Sequence, residues 1–209
     1  MKVLFKKIFS IEGNIGAGKS TLLSKLENVI PNSKILYEPV DDWKNVGGTD
    51  LLKSFYLEPK RWAFTFELES MVSKVRSLKE IINSNVDVIL MERSIFSDKA
   101  FQLASFYYDK ISSMEMQLLD DIRNDFMKDY PVLNGVIYLD TDVNECLARI
   151  KSRNRSEEQG IDKVYLEKLE DLFLTTKYGC PMVMIDGNYD SKDTQKTINM
   201  VLKFINKCV

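Results

Sequence analysis

The sequence predicts an α/β fold with a five-stranded parallel sheet flanked by helices. Short apolar runs alternate along the chain with longer stretches of helical periodicity, and strands that alternate with helices form parallel sheets through right-handed crossovers. A glycine-rich loop of the pattern G-x-x-x-x-G-K-[ST] lies between the first apolar run and the first helical stretch. Nucleotide-binding α/β proteins carry their phosphate loop at this position.

Each strand is predicted from a short run of apolar residues, because a strand that helices cover on both faces is apolar throughout. Helical stretches separate the runs, and no linker or internal repeat interrupts them. The 209 residues are therefore most simply one domain, residues 1–209. The five predicted strands are residues 7–12, 34–37, 86–91, 135–139 and 182–186.

Helices are predicted where apolar residues recur at spacings of three and four. The clearest stripe runs from Phe64 through Met71 and Val75 to Ile82 and forms one continuous apolar face. A helix over residues 21–29 follows the glycine-rich loop. The other predicted helices lie around residues 114–127, 143–150, 165–174 and 194–205.

Composition narrows the possible functions. The formal net charge of −2 argues against a nucleic-acid polymer as partner, since such binding needs a basic face. No run approaches ~20 consecutive apolar residues, so we expect no membrane span. The chain has no histidine, so acid–base chemistry would depend on carboxylates, lysine, tyrosine or cysteine. Cys146, Cys180 and Cys208 have no paired spacing, which fits a reducing compartment, and we expect a cytoplasmic protein without a structural metal.

The glycine-rich loop at residues 13–21 is the most informative motif of the chain. Its glycines allow the backbone to aim successive N–H groups at one anion, which would lie at the N-terminus of the following helix. Lys19 is expected to reach the β- and γ-phosphates of a nucleoside triphosphate such as ATP, and Ser20 to hold Mg²⁺. The predicted phosphate-binding residues are Gly13, Asn14, Ile15, Gly16, Ala17, Gly18, Lys19, Ser20 and Thr21.

Polar and charged residues follow the predicted strands. Glu38 follows the second strand, Glu92 and Arg93 follow the third, and Asp186 and Asn188 lie at the end of the fifth. Because ligands of open parallel sheets bind at the carboxyl ends of the strands, we expect the functional site at this edge.

Together these motifs resemble the deoxynucleoside kinase family over nearly the whole chain. The resemblance implies a P-loop kinase fold, usually dimeric, with a short arginine-rich lid at about residues 151–160. It also implies transfer of a γ-phosphoryl group, with Mg²⁺, to the 5′-hydroxyl of a deoxynucleoside in nucleotide salvage. The matching segments are residues 13–21, residues 38–40 with Trp43, residues 56–62 with Phe66, residues 92–94 with Asp98, and residues 153–158.

The residues have plausible roles in this chemistry, because phosphoryl transfer requires positioning and charge neutralisation more than covalent chemistry. Glu38 is expected to accept the 5′-hydroxyl proton as general base, and Arg93 to pair with Glu38 and hold the hydroxyl oxygen. Lys19 completes the predicted catalytic set. Glu92 is expected to orient Mg²⁺ through water, together with Ser20. The alternative is that Glu38 caps a turn and that Glu92 and Arg93 form a local salt bridge.

The resemblance assigns Arg149, Arg153 and Arg155 to a lid that closes over the phosphates. An arginine fork matches phosphate oxygens, and a closed lid excludes water. The alternative is a solvated basic helix face. Asp186 and Asn188 complete the predicted nucleotide-binding residues.

On the nucleoside side, Tyr56 and Glu158 match family residues that bind the 3′-hydroxyl of the sugar. Tyr56 would also leave little room for a 2′-hydroxyl, which favours deoxyribose. Trp43 and Phe66 are predicted to form flat walls for the base, and the alternative is that both are ordinary core aromatics. The aromatic that stacks on the base in the family falls on Gln102 here, beside a phenylalanine, so the sequence leaves that wall open.

Three residues are predicted to read the base, and two of them depart from the family. Glu67 stands where the family usually has glutamine, Lys74 stands where the cytidine- and purine-using branch has arginine, and Asp98 is retained. An ionised Glu67 would only accept hydrogen bonds, and guanine offers it two adjacent donors. We therefore expect a purine preference, with deoxyguanosine first. The alternative is that Glu67 merely pairs with Lys74 or Arg93.

Other functions of similar folds fit the sequence less well. A nucleoside monophosphate kinase would need basic residues near Glu38, where Asp41 and Asp42 would instead repel a phosphate. A regulatory GTP switch would need Asp-x-x-Gly and Asn-Lys-x-Asp motifs, which are absent. An inactive scaffold of the same fold would not need the complete set of Lys19, Ser20, Glu38, Glu92 and Arg93.

Overall fold

The five predicted strands form one parallel sheet in the computed structural model, which describes residues 6–188 and 194–208 without the side chain of Ser156. The strands are β1 (Lys7–Gly13), β2 (Ser33–Leu36), β3 (Val88–Glu92), β4 (Gly135–Asp140) and β5 (Met182–Asp186). Their order across the sheet is β2-β3-β1-β4-β5, and each neighbouring pair is parallel. The predicted fold class is confirmed.

Helices cover both faces of the sheet. They are α1 (Lys19–Leu26), α2 (Val40–Trp43), α3 (Leu51–Leu57), α4 (Pro59–Ile82), α5 (Ile95–Tyr107), α6 (Ser113–Met127), α7 (Val143–Arg153), α8 (Lys163–Thr175) and α9 (Thr194–Lys207). A 3₁₀ turn at Ser156–Glu158 joins α7 to α8. Within the described ranges, none of the helices combines the length and the apolar character that crossing a membrane requires.

Two hydrophobic cores lie on opposite faces of the sheet, because successive residues of a strand point to opposite sides. Phe9 and Ile11 of β1 pack with α1, α7 and α9 on one face. Ile8 packs with α4 and α6 on the other face. The alternation also directs Ser10 and Glu12 to the face of Ile8, where both are fully buried. These two polar residues interrupt the apolar pattern close to the carboxyl end of β1.

The helices α2, α3 and α5 are absent from the sequence-based prediction. Helices α2 and α3 are too short to show a periodic pattern. Helix α5 is longer, but it buries Ser97, Asp98, Gln102 and Ser105 together with apolar residues, so no apolar stripe marks it. Helix α1 begins at Lys19, two residues before the predicted start, which places Lys19 and the residue after it in its first turn.

Candidate active site

A cavity of about 580 Å³ opens at the carboxyl ends of β1, β2 and β3. It forms there because β1 lies beside β3, so that the segments that follow these two strands are neighbours. Helices α2, α3 and α4, the end of α7 with the segment after it, and single side chains of α5 and α8 provide the other walls. The predicted site residues that line it are Ile15, Gly16, Lys19, Ser20, Glu38, Trp43, Tyr56, Phe66, Glu67, Lys74, Glu92, Arg93, Arg153, Arg155 and Glu158.

The glycine-rich loop turns tightly onto the N-terminus of α1. Gly16 and Gly18 have φ angles of 79° and 98°, in the left-handed region that favours glycine. A Cβ atom on Gly16 would lie 2.5 Å from the carbonyl oxygen of Cys146, so no side chain fits there. The loop therefore presents its backbone and the start of α1 to the cavity, which is the geometry of an anion site.

Lys19 is buried and folds back over this loop. Its Nζ donates to the carbonyl oxygen of Asn14 at 2.7 Å and to that of Gly13 at 3.3 Å. Burial, with the nearby charge of Arg93, lowers the pKa of Lys19 to about 8. An anion that entered the loop would favour the charged ammonium, so the lysine is suited to phosphate.

Ser20 and Glu92 lie together beside Lys19. The hydroxyl of Ser20 donates to Oε1 of Glu92 at 2.8 Å. Residues 6–188 and 194–208 contain no group of three or more cysteine or carboxylate side chains able to hold a metal ion. Mg²⁺ is commonly bound by one or two protein oxygens together with substrate phosphates, so this pair fits the ion when a nucleotide supplies the remaining oxygens.

Arg93 and Glu38 form a buried ion pair at the centre of the cavity. Nη1 of Arg93 donates to Oε2 of Glu38 at 2.5 Å, and Nη2 donates to the carbonyl oxygen of Gly13 at 3.2 Å. Lys74 lies 3.7 Å from the other oxygen of Glu38. Burial alone would raise the pKa of Glu38, but the charges of Arg93, Lys74 and Lys19 hold that pKa below its ordinary value. Glu38 is therefore a carboxylate at neutral pH and can accept a proton.

Lys74 belongs to a buried polar cluster between α4 and α5. Its Nζ donates to Oδ1 of Asp98 and, at 3.0 Å, to the hydroxyl of Ser70. Ser70 in turn donates to Oδ1 of Asp98 at 3.0 Å. Lys74 thus lines the cavity with Asp98 behind it, and its charge is compensated by Asp98 and Glu38.

Glu67 lies about two turns from Lys74 on the same helix, and among the described residues it forms no salt bridge. Its side chain is almost completely buried, and its Oε1 accepts a hydrogen bond from the hydroxyl of Ser105 at 2.8 Å. Among the described residues no lysine or arginine nitrogen lies within 4.0 Å of it, so the alternative pairing with Lys74 or Arg93 does not occur. Burial raises the pKa of Glu67 to about 8, with Asp98 adding to the effect of burial. The carboxyl is therefore mainly neutral at pH 7.

Aromatic rings form one end of the cavity. Trp43 meets the ring of Phe66 edge-on at 5.4 Å, and Phe66 stacks on Phe55 at 4.7 Å. The indole N–H of Trp43 donates to Ser73 at 2.9 Å, which fixes the ring. The rings of Trp43 and Phe66 pack against other aromatic rings, as core aromatics do, and they also line the cavity, as walls for a ligand would.

Phe101, and not Gln102, reaches the cavity from α5. Gln102 is fully buried and faces Arg123. The ring of Phe101 lies beneath the guanidinium of Arg93, 5.0 Å from the ring centroid, and meets Phe173 edge-on. Of these two residues, Phe101 is therefore the one that presents an aromatic ring to the cavity.

The end of α7 and the segment that follows it bring two arginines and an acid to the cavity. Arg153 donates to both carboxylate oxygens of Glu158, at 2.8 and 2.7 Å, and Arg155 lies 3.4 Å from the same carboxylate. Glu157 pairs with Lys44 at the end of α2, 2.8 Å away, which joins this segment to the opposite side of the cavity.

Eight of the predicted nucleotide-binding residues do not line the cavity: Arg149, Asp186 and Asn188 and, within the glycine-rich loop, Gly13, Asn14, Ala17, Gly18 and Thr21. Arg149 donates to the carbonyl oxygens of Ala17 and Gly187 at 3.1 and 3.0 Å, so it joins the glycine-rich loop to the segment after β5. Asp186 accepts from Asn188, and Asn188 accepts from the backbone N–H of Asp142. The segment after β5 is held away from the cavity because β4 separates β5 from β1.

Several cavity residues are missing from the sequence-based prediction. Ser70 lies three residues after Glu67 and four before Lys74, so helical spacing alone places it on the same face. Phe55 precedes Tyr56 and lines the cavity with it. Tyr165 lines the cavity from a distant segment, and Ser105, which is not part of the lining, donates to Glu67. No local pattern points to either residue.

Comparison with known proteins identifies the relatives of this chain. Residues 9–209 match the family model described as "Deoxynucleoside kinase". Deoxycytidine kinase of Bos taurus is 33% identical over 92% of this chain and 88% of the relative. A probable deoxycytidine kinase of fowlpox virus is 32% identical over 96% and 86%. A mitochondrial deoxyguanosine kinase of Xenopus laevis is 31% identical over 79% and 71%.

The unpaired, buried Glu67 makes stability depend on pH. The pKa of Glu67 is about 8 in the folded protein, and its ordinary value of 4.5 applies to the unfolded chain. The stability that the neutral carboxyl contributes to the fold is therefore complete below pH 4.5 and is lost as pH rises through 8. Glutamine cannot ionise. Between pH 5.5 and pH 8.5, Glu67→Gln should therefore gain on the order of 2–3 kcal/mol of unfolding free energy relative to the native protein.

Denaturant unfolding at the two pH values measures this difference. Glu80→Gln, which changes an exposed carboxylate on the same helix, serves as the control and should show no such gain. An equal difference between native protein and Glu67→Gln at both pH values would mean that Glu67 is already ionised at pH 5.5.

Proposed function

This chain belongs to the deoxynucleoside kinase family, and we propose that it transfers the γ-phosphoryl group of ATP or another nucleoside triphosphate to the 5′-hydroxyl of a deoxynucleoside. The product is the 5′-monophosphate, as in nucleotide salvage. The observation that carries the proposal is the buried pair of Glu38 and Arg93, which shares one cavity with the phosphate loop.

Glu38 acts as the general base. It is ionised because neighbouring cations lower its pKa, and it lines the cavity, where a hydroxyl can reach it. Arg93 holds this carboxylate and offers its charge to the oxygen that attacks. The strand-end position of both residues keeps them on rigid elements, which suits a reaction that depends on positioning.

The triphosphate binds over the phosphate loop and the N-terminus of α1. Lys19 leaves the loop carbonyls for the phosphates, and Arg153 and Arg155 approach from the segment after α7 to exclude water. Arg149 supports the loop through its hydrogen bond to the carbonyl oxygen of Ala17. Ser20 and Glu92 would hold Mg²⁺, which when bound neutralises phosphate charge.

The sugar binds between Tyr56 and Glu158. Both residues line the cavity, and burial, with the charge of Glu158, raises the pKa of Tyr56, so its hydroxyl stays protonated and can donate. Tyr56 donates to the 3′-hydroxyl and Glu158 accepts from it. The ring of Tyr56 occupies the space that a 2′-hydroxyl needs.

The base binds beside the aromatic rings and meets Glu67. The ionised form would read guanine, as expected from the sequence, because a carboxylate accepts from two adjacent donors. The neutral form has one donor and one acceptor, as glutamine has, and matches the donor beside an acceptor on cytosine or adenine. We propose that the neutral form sets the preference at pH 7 and that deoxyguanosine is favoured only once Glu67 ionises.

A nucleoside monophosphate kinase remains a less favoured alternative. Asp41 and Asp42 line the cavity close to Glu38, where a substrate phosphate would have to lie. Their negative charges oppose such a group, so the cavity fits an uncharged nucleoside better.

We also propose a cytoplasmic homodimer. The three cysteines are free thiols, which fits a reducing compartment. The dimer is expected from the family, and the exposed side chains of Met114 and Leu118 on α6 offer an apolar surface for it.

Replacing the proposed general base, Glu38, should separate nucleoside binding from the chemical step. Glu38→Gln should keep the affinity for a deoxynucleoside within a few-fold but lower kcat by ~10²–10⁴-fold, because an amide cannot accept the proton. Steady-state kinetics and nucleoside binding measure the two effects. Glu27→Gln, an exposed carboxylate at the end of α1, is the control. Near-native kcat in Glu38→Gln would refute the base assignment, and full activity in Lys19→Ala would refute the kinase proposal itself.

The proposed contact between Tyr56 and the sugar predicts discrimination between deoxyribonucleosides and ribonucleosides. Tyr56→Phe should weaken deoxynucleoside binding by the net value of one hydrogen bond, ~0.5–1.5 kcal/mol. The native enzyme should prefer each deoxynucleoside to its ribonucleoside, because the ring of Tyr56 remains in the way. The measurement is kcat/KM for matched pairs such as deoxycytidine and cytidine. Equal values for such a pair would show that Tyr56 does not select the sugar.

Glu67 predicts a base preference that changes with pH. The ratio of kcat/KM for deoxyguanosine to that for deoxycytidine should rise by about tenfold or more from pH 6 to pH 9, as a carboxyl with a pKa of about 8 ionises. The ionisations of Glu38 and Lys19 affect both substrates alike and cancel in the ratio.

Glu67→Gln is the matched control, since its side chain does not titrate and its ratio should stay flat and low. A native ratio that is equally flat, or that already favours deoxyguanosine at pH 6, would contradict this account of Glu67.

A further inference from the structure

The turn after β3 is tied to three successive residues of β1. Arg93 in this turn has a φ of 58°, a left-handed conformation that persists only where its surroundings hold it. Its backbone N–H donates to the carbonyl of Ile11 at 3.0 Å, and its side chain donates to the carbonyl of Gly13. Between these two residues, Glu12 holds the next residue of the turn, Ser94.

Glu12 is fully buried and directs one oxygen at the turn. Ser94 donates to Oε1 twice, from its backbone N–H at 3.0 Å and from its hydroxyl at 2.7 Å, and Ser10 donates to the same oxygen. Oε2 of Glu12 and Nε of Arg93 are both buried without a hydrogen-bond partner in the part of the chain that the structure describes. A buried carboxyl with one unsatisfied oxygen is costly, so packing alone does not account for a glutamate at this position.

Ser94 is also the residue from which α5 starts. The N-terminus of this helix therefore faces Glu12, and the helix dipole favours a carboxylate there. Helix α5 carries Asp98, which holds Lys74 in the cavity. One carboxyl group on β1 thus fixes both the turn and the start of the helix that follow β3.

We propose that Glu12 is a positioning residue for phosphoryl transfer, because it anchors Ser94 and so keeps the guanidinium of Arg93 against Glu38. The inference rests on the proposed function, in which Glu38 is the base. Without the anchor, the left-handed backbone at Arg93 relaxes, and the guanidinium moves away from Glu38 and from the attacking hydroxyl.

The test compares Glu12→Ala with Glu12→Gln, whose carbonyl oxygen still accepts from Ser94. In Glu12→Ala, kcat should fall by about tenfold or more while KM for the deoxynucleoside changes by less than about threefold. Glu12→Gln should restore most of kcat. Ser10→Ala removes a donor to the same oxygen without touching the turn, and it should behave like the native enzyme.

The pH profile of kcat provides the readout that a purely structural residue would not move. Burial raises the pKa of Glu38 and the charge of Arg93 lowers it, so displacement of Arg93 moves the acidic limb of the profile to higher pH. Burial raises the pKa of Glu12 itself, and the hydrogen bonds from Ser10 and Ser94 oppose that effect. Loss of negative charge at Glu12 would not imitate the upward shift, because a nearby negative charge raises the pKa of a carboxyl and its removal lowers that pKa. We expect the upward shift in Glu12→Ala and its absence in Glu12→Gln.

The proposal would be overturned if Glu12→Ala kept the native kcat and if the acidic limb of its pH profile stayed in place or moved to lower pH, whatever its Tm. If Glu12→Ala does not fold, Ser94→Ala is the deciding variant. It removes the hydroxyl hydrogen bond to Glu12, one of the two that Ser94 donates. A lower kcat with the upward shift in Ser94→Ala supports the anchor, and native values contradict it. Failure of the proposed function is seen separately, because the native enzyme would then form no 5′-monophosphate.

Discussion

The buried guanidinium of Arg93 is the group on which the rest of the site depends. It needs a counter-charge and hydrogen-bond acceptors because it has left water, and it finds them in the carboxylate of Glu38 and the backbone carbonyl of Gly13. Glu38 comes from the segment after β2, Gly13 is the last residue of β1, and Arg93 follows β3. The parallel pairing of β1 with β3 brings Ile11 opposite Glu92, so the ends of the strands coincide and the charges meet. The order of the strands thus brings together the charged groups that the proposed reaction uses.

The charges around this cation explain the unusual state of Glu67. Lys74 and Arg93 line the cavity, and each already contacts Glu38 or Asp98. Glu67 is left with the hydroxyl of Ser105, and burial then favours its neutral form. A neutral glutamic acid presents one donor and one acceptor, as a glutamine side chain does. If Glu67 reads the base as proposed, its neutral form offers this pair at low pH, and its ionisation removes the donor.

Local patterns were sufficient to predict the strands, the phosphate loop and the long helix that carries Glu67 and Lys74. The fold class then predicted that Glu38 and Arg93 would lie at one edge, since parallel strands end together. Packing between distant segments was beyond such reasoning. Helix α5 buries polar residues and lacks an apolar stripe, so Phe101 and Ser105 could not be placed. Asp186 and Asn188 end a strand but lie outside the cavity, because β5 is separated from β1 by β4.

The central claim is that the cavity holds an uncharged sugar hydroxyl against Glu38 and Arg93, with the triphosphate at the glycine-rich loop. Product analysis tests it most directly. The native enzyme is incubated with ATP, Mg²⁺ and, in parallel, the four deoxynucleosides or the four deoxynucleoside 5′-monophosphates. The account predicts 5′-monophosphates from at least one deoxynucleoside and no diphosphates from any monophosphate. Phosphorylation of the monophosphates alone, or release of inorganic phosphate without a phosphorylated acceptor, would contradict it.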